Sequence, residues 1–197
     1  MSTLLYYIIA KQNPQEVVMK KNCVILKWNP AISSYNMSRF LQAIEWEESS
    51  SDWSIAQYDR VKAGDHFFML KVGLGMCGIV ASGKITSDPT PGEDWSGRGR
   101  KVYYSDYDCD FMVNPETLPI IESCVLEDNI PGFDWNGGHS GVVLDDEQAA
   151  VLKRLFDKYL RDNAAIFTDR LALIEKRGMG NDQLYVDEEL LTEIQGR

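Results

Sequence analysis

The 197-residue chain has no Cys-x-x-Cys pair, only two histidines, no apolar run long enough to cross a bilayer and no Gly-x-Ser-x-Gly elbow. Each absence removes a class of function. Cys23, Cys77, Cys109 and Cys124 stand singly, three of them in apolar or strand-like runs. They read as buried free thiols in a reducing compartment, not as a zinc or disulfide framework. Histidine chemistry has little to work with: His66 falls in a strand-like run and His139 in a glycine-rich loop. The loop GGHSG gives Gly138-His139-Ser140-Gly141, one residue short of the nucleophile elbow. Asp106, Asp108 and Asp110 begin like a calcium loop, but Phe111 stands where the sharp turn needs glycine and Thr117 where the bidentate glutamate belongs. On a strand the three aspartates share one face, as an edge or a binding rim. No catalytic residue, metal or cofactor is expected.

The apolar TLLYYIIA near the N-terminus is short, and no Lys or Arg precedes it. A signal peptide carries a charged n-region and a membrane helix needs roughly 20 apolar residues. The expectation is a cytoplasmic protein with no membrane partner.

Acidic residues outnumber basic ones, 30 against 20, but unevenly. Residues 1–110 carry 12 Lys/Arg and 13 Asp/Glu, and the remainder 8 and 17. The acidity therefore belongs to the C-terminal half. A broad polyanion-binding surface is not implied, while a local basic face in the first half is allowed.

Along the chain, residues 1–22 read as an N-terminal extension broken near Pro14. CVILKW is a strand ended by Asn29-Pro30. From Asn36 to about Glu47, Met37, Leu41 and Ile44 recur at helical spacing with Phe40 beside them. ESSSDWS reads as a serine-rich loop. Gly73-Leu74-Gly75-Met76-Cys77-Gly78 spells G-x-G-x-x-G, but a dinucleotide loop must open a helix. Here Ile79, Ala81, Gly83 and Ile85 alternate with Val80, Ser82, Lys84 and Thr86, so the stretch reads as a glycine-rich β-hairpin. A long loop, SDPTPGEDWSGRGR, leads to the strand KVYYSDYDCDFMV. NPETLP and NIPGFDWNGGHSG read as loops around a short irregular element. Asp145 and Gln148 are spaced as a capping box for a helix whose buried stripe is Ala149, Leu152, Leu155, Phe156 and Tyr159. Beyond it, Thr168-Asp169 and Asp187 could each start a short helix. Consecutive strands with helices to one side predict an α+β fold, and nothing supports parallel crossovers.

Aromatics are the informative class. Trp28, Trp46, Trp53, Trp95 and Trp135 lie largely in or beside polar loops. Such tryptophans either plug the ends of a small barrel or offer a flat ring a face to stack on. Arg98, Arg100 and Lys101, on the flexible loop WSGRGRK, are suited to hold a phosphate backbone or else are a solvated basic loop.

Four ordered motifs, LKWNPAISSYNMSRF, VKAGDHFFMLKV, GMCGIVASGKITSDPTP and KVYYSDYDCDF, together resemble the EVE domain family of the PUA-like superfamily, relatives of YTH domains. Trp28-Asn29 stands where that family usually carries Ser-Glu. The resemblance implies a small, mostly antiparallel PUA-like β-barrel over residues 23–160 with flanking helices, followed by an acidic helical extension, 161–197. It implies a pocket between barrel and helix that takes up a single nucleobase, often a modified one. Trp28, Asn29 and Pro30 would fall at the strand exit lining it, Trp53 in the facing loop, Ser82 and Gly83 on the barrel wall, and Trp95 nearby. On this reading the protein is a non-enzymatic module for DNA or RNA carrying a modified base. Trp28 and Trp53 would stack, Asn29 would read the base edge, and Arg98 and Arg100 would hold phosphates. Two alternatives stand beside it. One is a small-ligand or hydrolytic domain that uses the same pocket with His139, Asp134 and the aspartate face. The other is an adaptor whose C-terminal extension meets a second copy or a protein partner.

Overall fold

A computed structural model of the chain describes residues 21–46 and 48–163. Residues 1–20, with most of the expected N-terminal extension, and 164–197, with the two expected C-terminal helices, lie outside the described residues.

The first strand, β1 (Cys23–Trp28), alternates between two cores. Cys23 and Ile25 face one side, and Val24, Leu26 and Trp28 the other. Helix α1 (Met37–Glu45) follows, started by Asn36, whose side chain accepts a 3.0 Å hydrogen bond from the Arg39 amide. That bond satisfies one of the amides a helix start leaves without a partner.

ESSSDWS is not a loop. Ser50–Ser54 forms β2, antiparallel to β6 (Val102–Met112), with Trp53 opposite Ser105. Serine hides an edge strand from a reading based on β-branched content, because one side of an edge faces water and polar residues suit it.

The glycine-rich stretch is the expected turn. Strands β3 (His66–Lys71) and β4 (Gly78–Ile85) pair antiparallel around it. Gly73 and Gly75 hold φ of +95° and +79°, where side-chain-bearing residues are strained. The buried Lys71 ammonium donates to the carbonyls of Leu74 and Met76 at 2.8 and 2.7 Å. The turn's carbonyls thus hold a cation of the protein's own, and the segment after the turn is a strand with no helix N-terminus to offer a phosphate.

Three short elements were not foreseen as such: one lies in the long loop, and two take the place of the short irregular element expected between NPETLP and NIPGFDWNGGHSG. They are β5 (Thr90–Gly92) on β6, β7 (Ile121–Glu122) on β4, and α2 (Ser123–Asn129). After β8 (Val142–Val143) comes α3 (Asp146–Asp162). Its capping box forms as expected, with Gln148 N donating to Asp145 and the Gln148 side chain accepting from the Asp145 amide. The expected boundary at residue 160 falls inside the last turn of α3.

The sheet order is β2-β6-β4-β3-β1-β8, and it is mixed: β1 and β3 run parallel, against the expectation that parallel pairing had no support. The chain between them contributes α1 and then β2 at the far edge. Such long-range pairing leaves no local pattern to read. The sheet curls into a half-barrel with three helices among the described residues, so the α+β class holds. Its edges are tied together: Ile55 N donates to Tyr103 O, while Ala56 N and Gln57 N donate to the carbonyls of Ser140 and Gly141 at 2.9 and 3.0 Å. Gly141 N donates in turn to Ile25 O. Only glycine fits at 141, because φ is +71° and a Cβ would lie 2.4 Å from the Ile55 Cα.

The convex core packs Leu152, Phe156 and Leu160 of α3 on Ile25, Phe68 and Phe111. Each such side chain contributes roughly 1.5–3 kcal/mol on burial. The inner core holds Val24, Leu26, Trp28, Phe67, Met69 and Tyr107 under Phe40 of α1. No helix among the described residues is long and apolar enough to cross a membrane.

Candidate functional site

An open cleft of about 1950 Å³ lies over the tied edges of the sheet. Its walls come from the β1 exit, the start of α1, β2, the 90–106 segment and the GGHSG loop. Asn29, Trp53, Trp95, Arg98, Arg100 and Lys101 all line it, so six of the ten residues expected in a site share one space.

The other four are elsewhere. Trp28 is fully buried: its indole stacks on Phe40 (centroids 4.5 Å apart, planes 20° apart) and its Nε1 donates to the Tyr35 carbonyl at 2.6 Å. With one face on Phe40 and its edge bonded, it is a core residue and has no open face for a base. Strand alternation turns it inward with Val24 and Leu26. Pro30 is half-buried and outside the cleft lining. Ser82 is buried inside β4, opposite Phe111 and Phe68. Gly83 is a packing glycine, since a Cβ there would lie 2.0 Å from the Asp108 carbonyl oxygen on β6. Both stand in the sheet wall, as expected, but neither reaches the cleft.

Trp53 is the fixed element of the cleft. Its Nε1 donates to Ser140 Oγ at 2.8 Å, and Ser140 Oγ also accepts the Lys27 amide at 2.9 Å. Two accepted bonds occupy both lone pairs of the hydroxyl. Ser140 is therefore an anchor between β1, β2 and the glycine loop, with no lone pair left for nucleophilic attack. Tyr35 meets Trp53 edge-on at 6.0 Å and 85°, and Tyr107 meets it from below at 6.4 Å and 68°. Burial pushes the Tyr35 phenol up to about 12, with Cys109 and Glu48 adding to the rise. It stays a neutral hydroxyl throughout the physiological range.

The cations divide into engaged and available. Lys27 sits under the 133–138 loop, donating to the carbonyls of Asp134 and Gly137, 4.9 Å from the Phe133 ring. Burial lowers its pKa, opposed by Asp134 at 4.0 Å. Its charge is spent on holding that loop. Arg100 pairs with Asp94 at 3.2 Å, and its hydrogen bonds hold the Asp94 carboxyl well below the usual range. Arg98 forms no ion pair with another described residue, and Lys101 stands 5.1 Å from the Tyr103 ring centroid. Asp52, Glu93 and Asp106 line the same cleft as Lys27, Arg39 and the cations of the 98–101 loop, so its walls carry charge of both signs.

Residues the sequence did not single out complete the site. Tyr58 and Tyr103 stack face to face on its rim, centroids 3.7 Å and planes 11° apart. Tyr103 was legible only as one of the alternating aromatics of KVYYSDYD. Tyr58 lies in a turn and carries no local signal. Of the remaining tryptophans, Trp135 is core and bonded to the Ile130 carbonyl, and Trp46 is exposed at the end of α1.

His139 and Asp106 share the cleft with Trp53, whereas Asp108, Asp110 and Asp134 do not line it. Among the described residues no group of three His, Cys, Asp or Glu could hold a metal ion. No protein-family model and no curated protein matches the chain.

Proposed function

We propose that the protein is a PUA-like, EVE-type module that takes a single, modified base of DNA or RNA into the cleft at Trp53. The observation that carries this reading is one open space joining a fixed indole to a loop whose Arg98 forms no ion pair with another described residue. The aromatic wall offers stacking of roughly 1–3 kcal/mol per base, on the scale of the few kcal/mol needed to unstack a base. Asn29, whose Oδ1 accepts from the Ala31 amide, supplies its side-chain NH2 to the base edge. Arg98 and Lys101 supply the phosphate contacts. Trp28, assigned a stacking role from the family pattern, has none here.

Fluorescence anisotropy of labelled oligonucleotides tests this reading, comparing cytosine and adenine with their methylated forms for wild type and Trp53→Ala. Saturable binding that favours one modified base and is lost in Trp53→Ala supports it. Equal, weak binding by both proteins refutes it.

A second reading rests on the position of His139 and Asp106 in the same cleft: a small polar ligand held against Trp53. Ser140 cannot serve a hydrolytic version of it, since its oxygen is committed to Lys27 and Trp53. A protein partner or second copy bound through 161–197 would involve residues almost wholly outside those described.

A further inference from the structure

We propose that Tyr58, backed by Tyr103, is a second stacking platform of the cleft, which takes the base of the nucleotide next to the one held at Trp53. The proposal rests on the base-binding reading and extends it to a second subsite.

Three observations carry it. Tyr58 is 44% exposed although its ring lies flat on Tyr103. One face of that ring is covered by Tyr103, and the residue lines the cleft. Its partner limits its rotation, so less freedom is lost when a third ring joins the pile.

The two platforms are close neighbours on the sheet. Trp53 is paired across the sheet with Ser105, and Tyr103 lies two residues from Ser105 on β6. Residues two apart on a strand share a face, so Trp53 and Tyr103 are diagonal neighbours, with Cα atoms roughly 7–8 Å apart. A base at Trp53 and its neighbour at Tyr58 would be splayed apart, each stacked on protein.

Charge completes the subsite. Lys101 stands beside Tyr103, and Arg98 lines the same rim without an ion pair to another described residue. Either reaches the phosphate that links two splayed nucleotides. The pair Arg100–Asp94 holds the loop and stays out of the contact.

The test uses the full chain and mono-, di- and tetranucleotides of N6-methyladenine and of 5-methylcytosine, with thymidine as the flanking residue. Binding is read by tryptophan quenching. Wild type should gain about tenfold in affinity from mono- to dinucleotide, equivalent to about 1.4 kcal/mol. Tyr58→Ala should erase that gain, while Tyr58→Phe keeps it. A thermal melt within a few degrees of wild type shows that the variants are folded. A dinucleotide gain that persists in Tyr58→Ala overturns the second platform and leaves base binding at Trp53 standing. No saturable quenching by any of these ligands overturns both.

Discussion

Trp53 Nε1 and the Lys27 amide donate to the same atom, Ser140 Oγ, at 2.8 and 2.9 Å. This three-way junction ties β1, β2 and the GGHSG loop into one unit and sets the angle at which the indole faces the cleft. Ser140→Ala removes the shared acceptor and leaves two part-buried donors to find others. The expected cost is roughly 1–3 kcal/mol. Urea denaturation gives the loss, and a change in indole emission reports the freed ring.

Trp28 and Trp53 separate by the kind of loss they cause. Trp28→Ala opens a cavity beside Phe40 and should cost roughly 3–5 kcal/mol. Trp53→Ala, at a half-buried edge, should cost clearly less and abolish ligand binding. Chemical denaturation beside a binding titration distinguishes the two. Equal destabilisation by both would place Trp53 in the core as well.

Arg98 and Arg100 are two residues apart but differ in what holds them. Arg100 is committed to Asp94 and Arg98 to no ion pair among the described residues. Arg98→Ala should weaken all oligonucleotides alike and reduce the slope of log K against log salt by about 0.7–1. Arg100→Ala should change the slope less. Titrations at several salt concentrations check the order.

His66 gives a pH dependence of stability. Burial, with repulsion from Lys84 second, lowers its pKa from 6.5 to about 4, against the smaller opposing pull of Asp65. A histidine held neutral in the fold binds fewer protons than in the unfolded chain between those values. Stability is therefore fully present above about 6.5 and is lost as pH falls toward 4. The loss is on the order of 2–3 kcal/mol. Denaturation midpoints for wild type and His66→Gln across this window should diverge in slope, with the variant flatter.

Much of the fold was legible where local chemistry decides it. The turn after β3 could be read from glycines followed by period-two alternation, and the α3 start from Asp145 and Gln148. The parallel pairing of β1 with β3 was not, because it joins Cys23 to His66 across 43 positions with no local signature. Serines disguised β2. In the candidate site, the basic loop and Trp53, which line one cleft, were singled out from composition and a resemblance. Trp28 misled because its neighbours Asn29 and Pro30 look like a loop, although the period-two run Val24, Leu26, Trp28 already pointed inward. Tyr58 could not be found from sequence, since only the fold lays it on Tyr103.

The central claim is that Trp53 in the cleft receives a base. Its most direct test is a quench titration of tryptophan emission with matched short oligonucleotides, unmodified and methylated at one cytosine or adenine, on wild type and Trp53→Phe. The account predicts saturable quenching that favours one modified base by at least about tenfold, or about 1.4 kcal/mol, and that falls sharply in Trp53→Phe. Absence of saturable quenching at low salt, or an identical response in Trp53→Phe, would contradict it.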